Sequence, residues 1–94
     1  MTQPEIRRND SLNRFEAHFG GNIALLTFKM AAGEITFVHT EVPPEFQGQG
    51  IGSTLARAAL DFAKLRGLTV VPQCPFVASY VQDHPEYSSL LKHS

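Results

Sequence analysis

The chain has 94 residues, 43% of them hydrophobic and 18% charged, with 7 Gly, 6 Pro and a net charge of -1. That length holds one domain around one modest core and excludes two, and the apolar content with almost no net charge argues against disorder. Eight Lys and Arg against nine Asp and Glu leave no electrostatic footprint for nucleic acid or an anionic membrane. The single cysteine, Cys74, excludes an internal disulfide framework and a multi-cysteine zinc site and fits a reducing compartment. No apolar run approaches the roughly 20 residues of a membrane span. Met1-Thr2-Gln3-Pro4-Glu5 lacks the charged-then-apolar order of a secretory signal, so the expected address is the cytoplasm.

Residues 1–11 read as a polar lead-in to a single domain. Phe15, Ala17 and Phe19 then alternate with Arg14, Glu16 and His18, which predicts a half-buried strand over 13–19, placed at a sheet edge. Gly20-Gly21-Asn22 marks a turn. A denser run over 23–30 puts Leu26, Phe28 and Met30 on one face and Ile23, Leu25 and Thr27 on the other, the mark of a central strand. Ala31-Ala32-Gly33 reverses the chain. Residues 34–42 are rich in β-branched and aromatic side chains, and the three strands form an antiparallel meander.

Pro43-Pro44 ends the third strand, because proline cannot donate to a ladder. A helix over 50–66 follows, with Ile51, Leu55, Ala58, Ala59, Phe62 and Leu65 as its buried stripe. Lys64 and Arg66 complement its dipole and Gly67 caps it. Thr69-Val70-Val71-Pro72 is a short strand, completing a β-α-β crossover with a parallel pair. A second helix starts at Pro75 and stops before His84-Pro85, and residues 86–91 form one more short turn or helix. The fold class is α/β, a mixed sheet of antiparallel meander plus β-α-β crossover with two main helices.

Gln47-Gly48-Gln49-Gly50-Ile51-Gly52-Ser53 stands between a strand end and a helix start. Glycines there let backbone N–H groups turn inward beside the positive end of the helix dipole, an arrangement suited to phosphate. The segment is neither Walker A nor the full dinucleotide fingerprint, and glycines serving only a tight turn and close helix packing explain it equally well. Gln47-x-x-Gly50-x-Gly52 in this setting resembles the acyl-CoA pyrophosphate loop of the GNAT superfamily of N-acetyltransferases. The runs Val38-His39-Thr40-Glu41-Val42-Pro43, Pro72-Gln73-Cys74-Pro75 and His84-Pro85-Glu86-Tyr87 look like the small single-domain branch of that superfamily, and the resemblance covers about residues 12–91.

The resemblance implies a minimal fold of this superfamily and acetyl-CoA as co-substrate. It implies that amides of Gln49, Gly50, Ile51 and Gly52, with Gly48 beside them, hold the pyrophosphate behind Gln47. It further implies that the backbone around Glu41 and Val42 binds the pantetheine arm between two splayed parallel strands, with the thioester near their ends.

Acetyl transfer to an amine requires a neutral amine, a polarised carbonyl and a proton for the leaving thiolate. Related small proteins have a cysteine where Cys74 stands, which makes it a candidate acyl carrier; a small buried hydrophobe is the other reading. His39 and Glu41 alternate onto the strand face of Ile35 and Phe37 and are candidate bases, with His39 also the nearest candidate to activate the thiol. Tyr80 matches the position of a tyrosine that protonates the thiolate in larger members, although its spacing departs from their Asn-x-x-Ala-x-x-x-Tyr pattern. Tyr87 reads equally as a residue of the site or as one that packs the C-terminal turn onto the sheet, and His18, His93 and Asp61 read as solvated. Scattered histidines and one cysteine propose no metal site. The expected function is acetyl-CoA-dependent N-acetylation of a primary amine, on a small molecule or a protein, with Cys74 as a candidate carrier. A CoA-binding sensor or partner module with little or no transferase activity is the alternative.

Overall fold

The computed structural model describes residues 4–92. Five strands form one sheet in the order β1-β2-β3-β4-β5: β1 (Glu5–Asn9), β2 (Arg14–Phe19), β3 (Asn22–Ala31), β4 (Glu34–Glu41) and β5 (Thr69–Pro72). The first four are antiparallel to their neighbours and β5 pairs parallel to β4. Helix α1 (Ile51–Arg66) makes the crossover, and α2 (Pro75–Asp83) follows β5 directly. A 3-10 turn over Pro85–Leu90 completes the chain's helical segments, and Leu91 bridges to Val70 beyond it.

The expected lead-in is in part a strand. Glu5–Asn9 pairs with His18–Arg14, so β1 forms the edge and β2 lies inside the sheet, correcting the placement of residues 13–19 at the edge. Only Ile6 of β1 is apolar, and it packs against the core. The rest is held by backbone pairing and by short-range ion pairs such as Arg8 Nε to Asp10 Oδ1 at 2.8 Å. The two-residue turns Gly20-Gly21 and Ala32-Gly33 have positive φ at both positions, the twist that suits tight antiparallel hairpins.

One face of the sheet carries Phe15, Ala17, Ala24, Leu26, Phe28, Ile35, Phe37 and Val70, all buried. Helix α1 lies across β2 to β5, and α2 packs on β5 and α1. The buried stripe of α1 is rotated from the expected one toward Ala56, Leu60 and Ala63. Leu65 is left 84% exposed, while half-buried Phe62 lies under the Arg8 and Arg66 guanidinium groups at 4.5 and 5.0 Å. Gly67 caps α1 as expected, in the left-handed region with its N–H turned back to the last carbonyls. On the bare face, Glu16 is buried beneath Arg14, His18 and Asn9.

A bulge in β4 decides which side chains reach the site. Phe28 pairs with Phe37 and Thr27 with His39, so Val38 is an extra residue with no partner on β3. One inserted residue inverts the alternation beyond it. Thr40, opposite buried Leu26, turns to the helix face, and His39 and Glu41, opposite Thr27 and Leu25, turn to the bare face. The expectation that His39 and Glu41 share the face of Ile35 and Phe37 is therefore corrected.

Candidate active site

The parallel pair is short. Glu34 to Phe37 matches Thr69 to Pro72, and a last rung forms where the Cys74 N–H donates to the Phe37 carbonyl at 2.8 Å. The bulge at Val38 then carries β4 onward to Glu41 while the other chain turns into α2, with Pro75 in its first turn. The strands part, and a cleft of about 550 Å³ opens in the fork. Val38 to Thr40 and Val42 line one wall, Cys74 to Phe76 another, and the glycine loop with the start of α1 closes the third side.

The loop is braced by contacts that periodicity did not reveal. Pro44–Phe46 forms a 3-10 turn, and the Phe46 ring packs edge-on against Phe19 at 5.2 Å between centroids. Gln47 Nε2 donates to the Val42 carbonyl at 3.3 Å, and Gln49 Nε2 to that of Glu45 at 3.2 Å. Gly48 and Gly50 have φ of 84° and 78°, left-handed conformations that an L side chain adopts only with strain. Gly50 is the N-cap of α1, and its carbonyl takes the first helical bond from the Thr54 N–H.

No described residue accepts from the N–H groups of Gly48, Gly50, Ile51, Gly52 or Ser53. A row of open donors at the positive end of a 16-residue helix is an electrostatic arrangement for an anion. Gln49 differs from expectation, because its N–H is directed at the Phe46 carbonyl at 3.3 Å. Gly52 differs in its reason: its φ is not positive, and a Cβ there would stand 2.8 Å from Phe76 Cζ. Glycine at 52 admits the Phe76 ring onto α1 and so shapes the cleft wall.

Cys74 is buried, 3% exposed, at the N-cap position of α2. Its Sγ lies 3.0 Å from Thr40 Oγ1. That partner is not the expected His39, whose Nε2 is 3.6 Å from Glu41 Oε2 on the bare face, both side chains largely exposed. His39 still lines the cleft while its partner Glu41 does not, and Thr40, which the sequence did not single out, reaches the thiol. Only knowledge of the bulge could have exposed Thr40.

Tyr80 lies outside the cleft lining. Its ring stacks on His84 with centroids 4.0 Å apart, burial pushes its hydroxyl pKa up, and it lines a smaller depression with Ser53, Thr54, Arg57 and His84. Tyr87 is buried, in keeping with the packing reading, and its hydroxyl donates to Asp61 Oδ1 at 2.6 Å. That bond, then burial, pushes the Tyr87 pKa up to about 12. Asp61 and His18 are therefore engaged rather than merely solvated, since His18 Nε2 lies 2.8 Å from Glu16 Oε1; His93 lies outside the described residues.

A mixed sheet whose parallel strands fork beside a glycine loop opening a helix defines a protein of the N-acetyltransferase superfamily fold. The model of the GCN5-related N-acetyl-transferase family matches residues 14–90, and the chain belongs to that family. It is similar to Protein NATD1 of Danio rerio, 35% identical over 97 residues that cover 98% of this chain and 88% of the relative. Protein NATD1 of Homo sapiens is 43% identical over 47 residues, 50% of this chain and 42% of that protein; against most of these curated relatives the matched part spans less than half their length. The NMR solution structure of a GCN5-like protein from Staphylococcus aureus superposes with a TM-score of 0.75 at 26% identity, covering 100% of this chain and 93% of that one. No helix of the described residues is long and apolar enough to cross a membrane.

Proposed function

We propose that the protein is an acetyl-CoA-dependent N-acetyltransferase that moves the acetyl group to a primary amine by way of Cys74. One observation carries this reading: a single cleft has open backbone donors at the start of α1 on one side and the Cys74 thiol on another. The amides of Gly48, Gly50, Ile51 and Gly52, beside Gln47 and Gln49, would hold the pyrophosphate with the help of the α1 dipole. The backbone of Glu41 and Val42 would line the pantetheine arm where β4 has left β5.

In the first step Cys74 Sγ loses its proton and attacks the thioester carbon. The new S–C bond forms as the bond to the CoA sulfur breaks, and the CoA thiolate takes up a proton, so one thioester replaces another. A neutral amine then attacks the acetyl-cysteine carbon, an amide forms, the nitrogen's extra proton passes through water to His39 or Glu41, and Cys74 leaves as a thiolate to be reprotonated. The bulge puts the His39 and Glu41 side chains on the bare face of the sheet rather than beside the thiol, so the proton they take reaches them through water. Tyr80, outside the cleft lining, takes no part in this scheme.

The test is intact-protein and peptide mass spectrometry after mixing with acetyl-CoA, followed by a chase with a primary amine and paired with a thermal-shift titration of CoA. The expected result is a stabilising shift and one acetyl group on Cys74 that the amine removes. Gly50→Asp, which puts a negative side chain into the open donors, abolishes the shift, and Cys74→Ser keeps the shift but loses the adduct. Turnover without an adduct means direct transfer, a shift with neither means a CoA-binding module, and no shift refutes the loop assignment.

A further inference from the structure

We propose that Thr40 is a positioning residue for this reaction, its hydroxyl fixing the Cys74 thiol within the cleft; the inference rests on the acetyl-transfer reading above. Thr40 Oγ1 and Cys74 Sγ are 3.0 Å apart, although 34 positions separate them in sequence. The contact crosses the fork just where the two strands part, since Cys74 makes the last backbone rung to Phe37 and Thr40 lies three residues beyond it. Thr40 is the one residue whose side chain hydrogen-bonds this sulfur among the described residues.

The register explains how Thr40 comes to be there. Strict alternation from Phe37 would send position 39 to the helix face and position 40 to the bare one. The extra residue at Val38 exchanges them. The same irregularity therefore delivers a hydroxyl to the thiol and withdraws the imidazole and carboxylate from it.

A threonine hydroxyl is both donor and acceptor. It can accept from the S–H of the resting thiol and, after rotation about its C–O bond, donate to the sulfur when that atom carries negative charge. Both contacts favour one χ1 well of Cys74 over the other staggered positions. Holding the nucleophile in one orientation favours attack on the thioester, whereas substrate affinity, set at the loop, does not depend on it. No proton is consumed or supplied by Thr40 in the net reaction.

The experiment compares the wild-type chain with Thr40→Val, nearly the same shape without the hydroxyl, and Thr40→Ser, which restores it. Three quantities are read: CoA thermal shift, acetylation of Cys74 under single-turnover conditions, and alkylation of Cys74 by iodoacetamide without acetyl-CoA. The expected result for Thr40→Val is an unchanged CoA shift with Cys74 acetylation slowed on the order of tenfold, the loss of one hydrogen bond to a reacting group. Alkylation slows in parallel, and Thr40→Ser recovers both rates. Wild-type rates in Thr40→Val overturn the proposal, and equal slowing in Val and Ser variants overturns it too, since the hydroxyl would then be irrelevant. The alkylation arm separates the two readings. If the wild type binds CoA but Cys74 is never acetylated, the covalent route falls, and an alkylation rate indifferent to Thr40→Val removes the positioning role independently.

Discussion

Glu16→Gln removes the buried charge on the bare face of the sheet. Glu16 is 5% exposed, accepting from Arg14 Nε at 2.7 Å and Asn9 Nδ2 at 3.1 Å, with His18 Nε2 at 2.8 Å. The Arg14 bond first, then that of His18, hold the carboxyl down from 4.5 to about 2. Between those two pH values the unfolded chain binds the proton and the folded one does not, so this stabilisation is complete above about 4.5 and is lost as pH falls toward 2. At 1.36 kcal/mol for each pH unit the interval is equivalent to about 3.4 kcal/mol, which solvent around the partly exposed Arg14 and His18 reduces to about 1–2 kcal/mol. Urea unfolding of both proteins across acid pH measures it. The gap between wild type and Glu16→Gln is expected to be about 1–2 kcal/mol near neutrality and to close on acidification through the window below 4.5. A gap that stays constant with pH would show that Glu16 contributes by packing rather than by charge.

Gly52→Ala is expected to push the Phe76 ring off α1 at a cost of about 1–2 kcal/mol, because the new methyl would stand 2.8 Å from Cζ; adding Phe76→Ala should recover part of that loss, and strictly additive thermal shifts would refute the contact. Tyr87→Phe is expected to lose about 1 kcal/mol with its bond to Asp61. Because the Tyr87 pKa is raised from 10 to about 12, the difference from wild type should persist at neutral pH and vanish as pH rises through that range, which alkaline denaturation curves would detect.

The core strands and α1 were legible because their apolar residues recur at two and near four. Strand β1 was not, since Glu5, Arg7, Arg8 and Asn9 give no apolar alternation and the segment becomes a strand only by pairing with β2. The loop Gln47 to Ser53 was legible from its glycines and its place before the helix. Its bracing by Phe46 on Phe19, and the reason for glycine at 52, depended on residues distant in sequence.

The amino-acid sequence by itself determined the mixed α/β fold and the helix that follows the glycine loop, because both are written in local spacing and residue type, whereas Cys74 was nominated by the family resemblance of its surrounding run. The tertiary structure alone decided which neighbours of Cys74 face it. A single extra residue at Val38 leaves no mark on β-propensity, yet it inverts every side chain after it. It brings Thr40 to the thiol and turns His39 and Glu41 to the bare face, a choice made by pairing between strands rather than by either strand alone.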